Sequence, residues 1–112
     1  MGAIAFSKNP EETWAAAGWA LRQVLDDTLR QYPQDSEMAT EFEVAKAIDG
    51  LIVYNFRPEL AARITRAIRE VVTGILSGRV RSGIGDQRYG DERTAQEYRK
   101  GLQQLLEAIP PV

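Results

Sequence analysis

The 112-residue sequence contains neither cysteine nor histidine. Without cysteine there are no disulfides, no thiolate nucleophile and no thiolate-bound zinc. Without histidine there is no Ser–His or Cys–His nucleophile pair, no histidine phosphotransfer, and no zinc or di-iron site built on Glu-x-x-His. Lysine is scarce: Lys8, Lys46 and Lys100 are the only three, and none sits beside a persuasive nucleophile partner. No apolar run approaches the roughly 18 residues of a membrane span. The N-terminal MGAIAFSKNP is too short in its apolar part for a secretory signal. These absences predict a cytoplasmic, non-membrane protein with no cofactor and no metal, and not an enzyme.

The residues that are present match the make-up of one soluble domain: 44% apolar and 27% charged in a length that supports a single core. The net charge of −2 conceals a split. Residues 1–56 carry four basic and nine acidic groups, or −5; residues 57–100 carry ten basic and six acidic groups, or +4. Nine of those ten basic groups are arginines, whose planar fork suits carboxylates and phosphates.

Helical periodicity dominates the chain. Asn9-Pro10-Glu11-Glu12 reads as a helix start, with Asn9 as cap, Pro10 in the first position and Glu12 at capping-box spacing. Trp14, Gly18, Leu21, Leu25, Leu29 and Tyr32 come next on one face, and Pro33 ends the helix. A second helix starts at Asp35 or Ser36 and presents Met38, Phe42, Ala45, Ile48, Ile52 and Phe56. A third begins at Pro58, carries a broad stripe through Leu60, Ile64, Ala67, Ile68, Val71, Val72, Ile75 and Leu76, and stops at Gly78. Its outer side offers the i,i+4 pairs Glu59–Arg63 and Arg66–Glu70. A fourth, capped by Asp91, packs Ala95, Tyr98, Leu102, Leu105, Leu106 and Ile109 and ends at Pro110.

The predicted fold is therefore all-α: a four-helix antiparallel bundle with a short N-terminal arm, forming one helical domain over 1–112. The β-formers of LIVYNF support an alternative, an α+β chain with a small two-stranded element from residues 3–7 and 51–56.

The functional expectation is a non-enzymatic helical protein–protein interaction module of the adaptor, inhibitor or immunity type. A homodimer through the third helix's wide stripe is a second expectation, and the sequence does not specify the partner. The candidate partner-binding residues are Trp19, which lies off the first helix's apolar face, and Arg63, Arg66, Arg69, Arg79, Arg81, Arg88 and Tyr89. The alternative is anion or nucleic-acid binding through the arginine-rich third helix and the 78–90 loop. It is the less favoured, because Gly83-Ile84-Gly85 does not complete a phosphate motif: Arg88 stands where the third glycine belongs. Glu41 and Asp49 fall in the second helix's apolar sector, where an acid needs an arginine partner or marks an acid–base cleft.

Overall fold

The stretch expected to open the first helix is half turn and half strand. In the computed structural model, which describes residues 1–86 and 92–111, Pro10–Glu12 makes a single 3₁₀ turn and Thr13–Ala16 then runs extended as β2. It pairs antiparallel with β1, Gly2–Ala5, in the register Gly2↔Ala16 to Ala5↔Thr13. The start signals are real but act over one turn. Asn9 accepts a hydrogen bond from the Glu11 amide at 3.0 Å, whereas Glu12 turns back to accept from the Ser7 hydroxyl at 2.7 Å. Helix α1 begins only at Gly18 and runs to Gln31.

The second correction concerns residues 49–56. Helix α2 spans Ser36–Ile48, and Asp35 caps it by accepting from the Met38 amide at 3.0 Å. Asp49 then enters the left-handed region at φ 55°, which ends the helix. Gly50–Ile52 forms β3, parallel to β1, and Val53–Asn55 closes it with a 3₁₀ turn. The chain is thus a mixed α+β fold with sheet order β2-β1-β3, and the all-α bundle is wrong. The two-stranded alternative is met in part: β1 and β3 do pair, but β2 adds a third strand from residues whose spacing reads as helix.

One face of the sheet is apolar and covered. Ile4, Trp14 and Leu51 stand abreast in register and are all buried. Helix α1 packs on β1 so closely that a Cβ on Gly2 would lie 2.8 Å from Leu21 Cβ, so only glycine fits there. Helix α4, Glu92–Ala108, packs on β2 and faces Trp14 across Gly101. Helix α3, Pro58–Leu76, lies against both α1 and α4, and Leu60, Ile64, Ala67, Ile68, Val71 and Val72 are buried as their spacing predicts. Gly78 ends α3 with φ +82° and donates to the Ile75 carbonyl at 3.1 Å. The Asp91 cap lies outside the described residues.

A buried carboxylate fixes the turn beyond α3. Asp27 of α1 is 1% exposed and accepts four hydrogen bonds. Gln23 Nε2 and the Gly83 amide donate to Oδ1 at 2.9 and 2.8 Å; the Ser82 and Tyr98 hydroxyls donate to Oδ2 at 2.5 and 2.8 Å. One side chain thereby joins α1, α4 and the returning chain. Burial, with the Asp27 charge beside it, holds the Tyr98 hydroxyl far above the ordinary phenol range.

Candidate functional site

The outer side of α2 and the free edge of β3 enclose a shallow groove of about 190 Å³. Helix α2 is apolar on two sides. Met38, Phe42 and Ala45 enter the core, while Val44 and Ile48, one ridge away, are 52% and 68% exposed. Ile48 therefore does not belong to the core face that its spacing predicts. Tyr54, 41% exposed, stands beyond the strand. Leu51, Ile52 and Phe56 supply the groove's other apolar lining.

Strand β3 carries no charge and no proline along Gly50–Leu51–Ile52, so of the devices that ordinarily blunt an edge it has only its shortness. The Ala3 amide donates to the Asp49 carbonyl at 3.2 Å, and Ala3 is in register with Gly50. In a parallel ladder this alternation turns the Leu51 amide and carbonyl toward β1 and the Gly50 backbone and the Ile52 amide to the open side, while the Ile52 carbonyl starts the 3₁₀ turn. The groove thus combines unpaired backbone polarity with exposed apolar side chains. Glu41 also lines it, with no ion pair among the described residues. The neighbouring acids are already matched: Glu43 and Asp26 by Lys46, Asp49 by Arg22 at 3.0 Å. Neither Glu41 nor Asp49 lies in an arginine-walled cleft.

The predicted arginines do not gather into one basic face. Arg63 donates to Asp35 at 2.9 Å and to Glu37 at 2.7 Å, and Arg57 binds Glu37 with both terminal nitrogens. The expected Glu59–Arg63 and Arg66–Glu70 pairs give way to these contacts and to a short hydrogen bond from Tyr32 to Glu70. Arg69 donates to the carbonyls of Ile109 and Pro110. Arg66 and Arg81 stand exposed, as does Arg79, which lines a second cavity together with Arg69. Arg88 and Tyr89 lie outside the described residues. Trp19 is 37% exposed, its ring tilted against Tyr98 with centroids 6.1 Å apart, and it does not line the groove.

No protein-family model, curated protein or solved structure matches this chain. Among the described residues, no helix is long and apolar enough to cross a membrane.

The clamp on α2 makes a pH prediction. Hydrogen bonds from Arg57, then Arg63, hold the Glu37 carboxyl down at about 2, against an ordinary 4.5. Because the folded-state value is depressed, the clamp stabilises fully above about pH 4.5 and its contribution is lost as pH falls toward 2. The difference in urea midpoint between the native chain and Glu37→Gln is expected to be largest at neutral pH and to vanish near pH 2.

Periodicity alone hides the open groove, because it counts Ile48 with Phe42 and Ala45. The signal that betrays it is the pair Val44 and Ile48, an i,i+4 ridge offset from the core face.

Proposed function

We propose that this protein is a non-catalytic interaction module that receives an extended segment of a partner protein along β3. The observation that carries the reading is the coincidence of the β3 edge, free of charge and proline, with the exposed Val44–Ile48 ridge. An added strand would pair with the Gly50 backbone and the Ile52 amide for affinity and set alternate side chains into the apolar groove for specificity. The groove has nine lining residues, against roughly 20–30 a side in a standard globular interface. That scale suits a single strand better than a second folded surface, and so favours a partner segment over a homodimer. The unmatched Glu41, within the −5 half of the chain, selects a segment carrying a basic residue among apolar ones.

A nucleic-acid role draws less support. Arg57 and Arg63 are neutralised by Asp35 and Glu37, and Arg69 is held by its Nη2 against the Ile109 and Pro110 carbonyls.

The test is a random peptide library selected against the immobilised protein. Winning peptides are expected to alternate apolar residues around a Lys or Arg and to protect the Gly50 and Ile52 amides from hydrogen exchange. Ile48→Asp, at an exposed position, should weaken them at least about tenfold, or about 1.4 kcal/mol. Winners that bind Ile48→Asp as tightly as the native chain would overturn the reading.

A further inference from the structure

A separate cavity of about 520 Å³ opens where α3 ends, within the range of small-molecule sites. Its walls are Arg69, Glu70, Thr73 and Gly74 of α3 and, from the returning chain, Arg79 and Val80. The return is tightly built. The amides of Arg79 and Val80 donate to the Gly74 carbonyl at 2.8 and 3.0 Å, so the wall carrying Arg79 is fixed against the wall carrying Arg69.

The carbonyls at this helix end are occupied. Thr73 takes the Ser77 amide, Ile75 takes Gly78, and Leu76 takes Arg99 Nη2 at 2.6 Å. The two guanidinium groups keep donors in reserve. Among the described residues Arg79 gives only its Nε, to Ser77 Oγ at 3.1 Å, and Arg69 gives only its Nη2, to the Ile109 and Pro110 carbonyls; Arg69 Nε is sealed from solvent. Thr73 adds a hydroxyl to the lining, and the arginine stems, Val80 and the Thr73 methyl make the rest apolar. Glu70 tempers the field: its carboxylate, hydrogen-bonded by Tyr32, leaves the site with about one net positive charge.

We propose that this cavity binds a small monocarboxylate with a short apolar body. The terminal fork of Arg79, the charge of Arg69 and a hydroxyl recognise the carboxylate, the apolar lining takes the body, and Glu70 disfavours a dianion such as phosphate. This inference does not depend on the β3 groove, which lies on other elements.

The test is a nitrogen-15 NMR titration of the whole protein with 4-methylpentanoate, its neutral amide, and inorganic phosphate. The acid should give saturable shifts at Gly74, Val80 and the Arg69 Nε–H group, while the amide and phosphate bind at least about tenfold more weakly. Arg79→Gln and the isosteric Thr73→Val should each weaken the acid severalfold while leaving the rest of the spectrum in place. The proposal falls if the acid shows no saturation up to about 20 mM, beyond the millimolar end of ligand affinities. It also falls if amide or phosphate binds as well, or if neither substitution changes the midpoint.

Discussion

Asp27→Ala is expected to lower stability by about 4 kcal/mol, because several buried neutral donors are left unpaired together. Four donors lose their acceptor at once: the Gln23 amide group, the Gly83 backbone amide, and the hydroxyls of Ser82 and Tyr98. Each buried donor left unpaired costs about 1–3 kcal/mol, reduced where a hydroxyl can rotate to another acceptor. For a domain of this size, thermal denaturation should register a fall of about 15 °C. Asp27→Asn separates the contributions. Its oxygen can still receive Gln23 and Gly83, while its NH₂ can face Ser82 and Tyr98, whose hydroxyls also accept. It should therefore cost about half as much as alanine. A loss below about 1 kcal/mol for Asp27→Ala would show that the turn at Ser82–Gly83 is held by something else.

Trp14→Ala carries the second large effect, about 4 kcal/mol in urea denaturation followed by circular dichroism. Trp14 is 3% exposed and fills the space between β2 and α4. Trp14→Phe is expected to be far milder. The indole Nε1 is buried without a hydrogen-bond partner among the described residues, so the ring carries a desolvated donor that phenylalanine lacks. Phenylalanine leaves a smaller void and removes that unpaired group, and the two changes offset. If Trp14→Phe were as damaging as alanine, the indole nitrogen would have a partner in solution.

The same residue shows where sequence reading ends. Its spacing places Trp14 in the core, correctly, but on a helix. The strands GAIA and TWAA are rich in alanine, a helix former, and are four residues long, too short for alternation to declare itself. What makes them strands is mutual pairing and the closure over α1 and α4, neither of which is local. By contrast α3 and α4 are long and bury a single stripe, so periodicity locates them to within a residue or two. The stop at Gly78 is legible because one positive-φ residue suffices for it.

Asp27 is illegible for a different reason. It sits beside the Leu21–Leu25 stripe, and its partners Ser82 and Gly83 are 55 and 56 residues away. Nothing in its neighbourhood marks it as buried. The arginines are legible as an excess, yet their use is not. Arg57 and Arg63 read as surface charge until α2 is placed so that Asp35 and Glu37 meet them.

The sheet order has a consequence for how the chain is made. Its central strand ends at Ala5, but the parallel neighbour begins only at Gly50. At synthesis rates of roughly 5–20 residues per second, about 2–9 s pass between them. The local hairpin of β1 and β2 can close in that interval, but two strands alone are marginal. Until Ile52 has left the ribosome, one side of β1 is available to any neighbouring nascent chain. Crowded translation should therefore reduce the yield of folded protein more than its final stability, and a pause placed once Ile52 has left the ribosome should do less harm than an earlier one.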